Sequence, residues 1–184
     1  QYTTLTDPLK SIRVFLSSPG GKDDAQQKAF NQQLRGLLTE LCADRSIDLD
    51  MHGPYTLPLA NPHHDFWSNI LEFKKECTFI IHDMTDCARG VMVEIGFSFG
   101  IRRPHFLIWN VEKKPVEKWE EMGIPDLLPT THIEQIDISD RDATRQALVN
   151  KILDPALNDV RPLDCSSCES LGSRTTRHAA YVYA

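Results

Sequence analysis

Apolar residues recur along this chain with two different spacings, and the two alternate. Short runs rich in β-branched and aromatic residues read as strands: Ile12-Arg13-Val14-Phe15-Leu16, Ile47 to Met51, Cys77-Thr78-Phe79-Ile80-Ile81-His82, His105-Phe106-Leu107-Ile108-Trp109 and Ile133 to Ile138. Between them the apolar positions fall three and four residues apart. Phe30, Leu34, Leu37, Leu38 and Leu41 form the buried stripe of a long helix that Asp23 or Asp24 caps and that runs to about Asp44. Further helices are expected from about Asp65 to Lys75, through Val91 to Ile101, and from Arg141 to Leu153.

Strand and helix alternating in this way predict parallel βαβ units, hence an α/β protein with a five-stranded parallel doubly wound sheet, flavodoxin- or Rossmann-like. The run Cys77 to His82 is almost wholly apolar, as a strand covered on both faces is, and is expected at the centre. Ligands of such sheets bind beyond the carboxyl ends of the strands, so the loops beginning at Ser17, Asp83 and Asn110 are the places to look for chemistry. The periodicity ends after about Pro155. Residues 1–158 are expected to form one domain, and 159–184 a polar tail, the start of a removed segment, that is dispensable for the core.

Glu94 is the anomaly of the pattern, a carboxylate inside the longest apolar run, Val91-Met92-Val93-Glu94-Ile95-Gly96-Phe97-Ser98-Phe99-Gly100-Ile101. Burying an unpaired charge is costly. The run follows a strand and the polar loop Asp83 to Gly90, which predicts a helix whose first turn holds Glu94. There the helix dipole and free amide donors would keep the carboxylate ionised while apolar flanks exclude water, the setting of a carboxylate nucleophile. The alternative is a first-turn glutamate that complements the dipole and points to solvent. Asp83 and Asp86 flank the turn after the third strand, and three acids at one crevice would push their pKa values apart. Otherwise Asp86 caps a turn and only Asp83 faces the site. His82 precedes Asp83 by one residue and is expected on the opposite face, as a core histidine. Ser17-Ser18-Pro19-Gly20-Gly21 is a small-residue loop between strand and helix, suited to cradle a phosphate or sugar or to make a tight turn; it matches neither the Walker lysine pattern nor the dinucleotide fingerprint.

Composition narrows the classes. The chain has 184 residues, 41% of them hydrophobic, and a net charge of −6, which argues against phosphate-backbone binding and toward a small-molecule partner. No apolar run approaches the roughly 20 residues of a membrane span, and the first residues lack a signal-peptide pattern. Five cysteines without framework spacing suit a reducing compartment, so the cytoplasm is expected. The first residue is not Met, which points to processing or excision from a longer chain. No metal or other cofactor is expected: His63-His64-Asp65 defines no ligand geometry, and Cys165-Ser166-Ser167-Cys168, even with His178, is half a zinc site. Cys87 lies in the loop before Glu94 with nothing near it in sequence to activate a thiolate.

Val14 to Gly20, Cys77 to Asp86, and Gly90-Val91-Met92-Val93-Glu94-Ile95-Gly96-Phe97-Ser98-Phe99-Gly100 with Arg103-Pro104 resemble the nucleoside 2-deoxyribosyltransferase family over roughly residues 12–110. The wider clan holds nucleotide N-glycosidases and is akin to TIR-type NAD glycohydrolases. The resemblance implies that Glu94 is the nucleophile, that Asp83 contacts the base, and that Phe15 with Ser17, Ser18, Gly20 and Gly21 lines the sugar or phosphate site, with Gly90 and Ser98 as further candidate substrate contacts. The small loop is more suited to a phosphate than the aromatic loop of the base-exchanging enzymes. It further implies an oligomer, and a Glu94 helix apolar nearly all round predicts the same: it packs on its own sheet and on a second subunit, unless the Pro-rich loop at 53–64 covers it.

The expected activity is therefore cleavage or transfer of an N-glycosidic bond in a nucleoside or nucleotide, with Glu94 attacking the anomeric carbon and Asp83 or Asp86 protonating or orienting the departing base. The alternatives are an NAD glycohydrolase, and a non-catalytic nucleotide-sensing or interaction module of a larger protein.

Overall fold

The computed structural model describes residues 11–19, 24–54, 56–57, 65–115 and 133–159. Strands β1 (Ser11–Ser17), β2 (Asp48–His52), β3 (Phe79–Asp83), β4 (His105–Asn110) and β5 (Ile133–Ile136) form one sheet in the order β2-β1-β3-β4-β5. Every pairing is parallel. β3 is the middle strand and all of its residues are buried, as its apolar sequence required.

Alternation along each strand assigns residues to two faces. Val14, Leu16, Phe79, Ile81, Ile108 and Ile136 pack on one side against helix α1 (Ala25–Ala43), whose Phe30, Leu34, Leu37, Leu38 and Leu41 are all buried there. The C-terminal helices cover the rest of that face through Leu148, Ile152 and Leu153. The opposite face carries Phe15 and Ile80 against Ile70 of α2 (Phe66–Glu76), and Leu107, Trp109 and Ile133 against Val91 and Ile95 of α3 (Arg89–Ile101). Helices thus cover both faces, in the flavodoxin-like order.

Three helices start on an aspartate. Asp24 accepts from Gln27 N at 2.9 Å, Asp65 from Ser68 N at 2.7 Å, and Asp140 from Ala143 N at 3.1 Å, each holding a free amide of a first turn. α3 has no such cap and begins after Ala88. The last helix runs further than the periodicity implied. α4 (Arg141–Ala147) widens into a π-helical stretch, Leu148–Leu153, and continues as α5 (Asp154–Asp159). Pro155 has no amide hydrogen and its ring would crowd the carbonyl of Lys151 in a regular helix; the wider turns before it relieve that crowding. Among the described residues no helix is long and apolar enough to cross a membrane. The tail from 160 onward lies outside the described residues.

Leu38 is wholly enclosed between α1 and the sheet. Leu38→Ala should cost about 2–5 kcal/mol, read by urea unfolding, as cavity-forming leucine truncations do; a loss well under 1 kcal/mol would show that α1 does not close this face as described.

Candidate active site

The strand order reverses direction between β1 and β3, and the crevice beyond their carboxyl ends is where such sheets hold ligands. Polar side chains gather at this edge in two groups, one on each face of the sheet.

The group on the α2/α3 face centres on Glu94. It is the sixth residue of α3, in the second turn, so the free amides and dipole end expected to stabilise it do not reach it. The capping residue types in the preceding loop, Asp83, Thr85 and Asp86, do not cap the helix, which starts after Ala88 without a side-chain cap. Glu94 is nevertheless only 4% exposed, and its charge is met by a different device. Lys74 of α2, fully buried, places Nζ 2.8 Å from Glu94 Oε2. The approach is close enough for an ion pair yet poorly aligned for a hydrogen bond, and Oε2 has no aligned donor. Nζ also lies 3.4 Å from the Glu94 carbonyl oxygen, to which it donates, and 4.9 Å from the centre of the Phe15 ring. Burial pulls the Lys74 pKa below its ordinary value, and the Glu94 carboxylate opposes that pull.

Beneath this pair, Ser98 donates its hydroxyl to the Glu94 carbonyl at 2.8 Å, and His82 Nε2 lies 3.0 Å from the same hydroxyl. With the hydroxyl proton so used, Nε2–H is the donor and Nδ1 is a bare acceptor. Burial, then Lys74, then His105 push the His82 pKa well down, so the ring is neutral. The expectation that His82 faces away from Asp83 is met. Ser17 sits beside His82 in the strand register and shares its face; both are fully buried, and Ser17 Oγ and His82 Nδ1 have no hydrogen-bond partner among the described residues. Phe15, two residues earlier, is packed with Ile70, Cys77 and Ile80 as the floor under Lys74. Gly90 is in the first turn of α3, where an added Cβ would meet the Trp67 ring at an ordinary 3.7 Å.

Asp83 belongs to the other group. It ends β3 on the α1 face, fully buried, where it accepts from Gln27 Nε2 at 2.7 Å, from Thr85 N at 3.0 Å and from the Thr85 hydroxyl. Burial raises its pKa, against the pull of those donors, and nearby Asp86 raises it further. The group extends through Gln27 to Asn31 and on to the Ser18 hydroxyl at 2.9 Å, and through Thr85 to the Asn110 amide. Asp86 is fixed by Lys113 at 2.6 Å and Lys114 at 3.0 Å. Burial would raise its pKa, but the two lysines outweigh burial and hold it below the ordinary carboxylate value. Lys113 also contacts Asp24 at 2.6 Å and Gln27 Oε1 at 3.1 Å, joining the β4–β5 loop to the start of α1.

The three acids therefore do not crowd one crevice. Asp83 and Asp86 are neighbours, while Glu94 stands across the sheet with a lysine of its own. The reason is the strand alternation that already separated His82 from Asp83. Gly20, Gly21, His63, His64 and the Cys165–Cys168 pair lie outside the described residues. Among the described residues no His, Cys, Asp and Glu cluster suits a metal ion. Burial lifts the Cys87 thiol above its ordinary pKa, which disfavours the thiolate. An open depression of about 440 Å³ between the far end of α1 and α4, lined by Asp44, Arg45, Asp142 and Arg145, is remote from this edge.

Lys74, Gln27, Thr85 and Lys113 complete these groups, and none of them is a candidate by sequence pattern. Lys74 did leave a trace, falling four residues after buried Ile70 and three before buried Cys77, on the inward stripe of α2. Lys113 left none, being an ordinary loop lysine by sequence. No protein-family model matches the chain, and no curated protein is significantly similar to it.

Lys113→Met should lower the melting temperature by a few degrees at neutral pH. Asp86 and Asp24 both have depressed pKa values, so their share of stability is present above the ordinary carboxylate pKa of about 4 and lost as pH falls through the depressed ones. The gap between parent and variant should thus close below about pH 4; a gap unchanged between pH 7 and pH 3 would contradict the ion-pair account.

Proposed function

We propose that this protein cleaves or transfers the N-glycosidic bond of a nucleoside or nucleotide, with Glu94 as nucleophile. The observation that carries the reading is an enclosed glutamate held beside a buried ammonium at the carboxyl edge of the sheet, where α/β folds bind ligands. The sequence resemblance to nucleoside 2-deoxyribosyltransferases supports the same reading. A carboxylate oxygen of Glu94 forms a bond to the anomeric carbon as the carbon–nitrogen bond breaks, and its electron pair leaves with the base. Water or a second base then resolves the glycosyl ester. The departing base needs a proton. Of the two aspartates, Asp83 is the one whose pKa is raised, while Asp86 is held ionised by two lysines; both lie on the opposite face of the sheet from Glu94, so Asp83 serves as the acid only for a substrate that spans the carboxyl edge from one face to the other. The three hydrogen bonds that Asp83 accepts, two on Oδ1 and one on Oδ2, leave a lone pair of Oδ2 for the proton.

The pairing of Glu94 also favours a second reading. A carboxylate already matched by Lys74 and 4% exposed can serve structure alone, in a module that binds a nucleotide without cleaving it. An NAD glycohydrolase is the third, and shares the glutamate. Incubation with a panel of nucleosides, nucleotides and NAD, followed by chromatography for free base, separates them. Base release by the parent should fall at least about 100-fold in Glu94→Gln, which keeps the shape and removes the charge. Asp83→Asn should slow release more than Asp86→Asn. Binding without release would select the sensing module, nicotinamide as the released base the NAD reading, and a Glu94→Gln variant within a few-fold of the parent would remove Glu94 as nucleophile.

We also propose that the chain self-associates through α3. Its outer face, Val93 at 62% exposure, Phe99 at 41%, and Gly96 and Gly100 with open space where a Cβ would stand, is apolar and uncovered by the described residues. A monomer mass by light scattering at micromolar concentration would contradict it.

A further inference from the structure

Lys74 is fully buried, an unusual place for a lysine. Lysine is almost never fully buried unless paired, and here its stem lies on the inward stripe of α2 while its ammonium ends against one residue, Glu94. The contacts engage Glu94 twice: Nζ is 2.8 Å from the side-chain oxygen Oε2 and 3.4 Å from the main-chain carbonyl of the same residue. A single group touching both ends of a glutamate restricts the torsions between them. The Phe15 ring lies 4.9 Å from Nζ on a further side and favours the cation by its π face. Three neighbouring titratable groups do not compete for it. His82 and His105 both have pKa values depressed by burial and are uncharged at neutral pH, and the Cys77 thiol is pushed up to about 12 by burial and stays protonated.

The two oxygens of the carboxylate are not equivalent. Oε2 is enclosed against Lys74, so the 5% of the Glu94 side chain that is exposed lies elsewhere on it. We propose that Lys74 is a positioning residue for Glu94: it holds Oε2 and sets the carboxylate so that the other oxygen, Oε1, is the one presented to a substrate carbon. This inference rests on the assignment of Glu94 as nucleophile for its consequence in catalysis, but the positioning itself is a statement about orientation. Attack through Oε1 leaves Lys74 bound to what becomes the carbonyl oxygen of the glycosyl ester. Lys74 neither gains nor loses a proton in the step.

The test has a structural and a kinetic arm. Lys74→Met keeps length and apolar packing and removes the charge, and the double variant Lys74→Met with Glu94→Gln removes both members of the pair and controls for folding. The single variant should melt lower than the parent and the double variant should recover much of that loss. In a crystal structure of Lys74→Met, the Glu94 side chain should leave its present rotamer; an unmoved carboxylate would overturn the proposal whatever the activity. In base-release assays on folded protein, Lys74→Met should lower kcat at least about 10-fold with KM within about 3-fold, as expected for a group that aligns the reacting atom rather than binding substrate. Lys74→Ala should regain turnover with added ethylammonium and not with ethanol. Turnover of Lys74→Met within a few-fold of the parent, or equal response to both additives, would reduce Lys74 to a structural counter-charge. If the parent releases no base from any substrate, the catalytic reading fails and the crystallographic arm still decides the positioning.

Discussion

The buried contact between Lys74 and Glu94 is the constraint on which this edge of the structure depends. It joins α2 to α3 across β1, with Phe15 as the floor, in a region where each charge alone would be strongly unfavourable. Removing one partner of such a pair typically costs about 3–5 kcal/mol, whereas replacing both by apolar residues of similar volume is often neutral or stabilising. Stability alone therefore gives no reason to put a lysine and a glutamate here when leucine and methionine would do. The proposed role of Glu94 as a nucleophile, which needs a charged carboxylate shielded from water, gives one.

The second constraint is the sheet itself. It divides the polar groups of the carboxyl edge into one that contains a single anion with its own cation and one that contains three aspartates held by Gln27, Thr85, Lys113 and Lys114. The division sets the titration behaviour. Asp86 is held ionised, and Asp83 is pushed toward its neutral form because burial outweighs its donors. Crowding of the three acids is replaced by separation, each with its own partners.

The fold was legible in the sequence because each element announces itself with the same signal at two levels. The stripe Phe30, Leu34, Leu37, Leu38, Leu41 is helical in spacing and apolar in content, and the run Phe79 to Ile81 is apolar without interruption because both its faces are covered. The place of Glu94 within its helix was not legible, since α3 begins at Arg89, after Ala88, without a capping side chain, and the aspartates and threonine of the preceding loop do not mark its first turn. The extension of the last helix past Leu153 was hidden by Pro155, which ordinarily ends a helix and here follows a π-helical stretch. The partner of Glu94 was half legible: a lysine on an apolar stripe shows that it is buried and does not show against what. The reach of Lys113 across the edge is set by a loop conformation that no periodicity encodes.

The proposed role of Glu94 requires its carboxylate to form a bond to the sugar, and the most direct measurement is to look for that bond. Protein quenched in acid during turnover of a cleaved nucleoside or nucleotide, digested with pepsin and mapped by mass spectrometry, should show a pentosyl or phosphopentosyl addition on the segment from Arg89 to Ile101, localised to Glu94 and absent in Glu94→Gln. Free base accumulating while that segment stays unmodified through the first turnover, or an adduct on another residue, would contradict it.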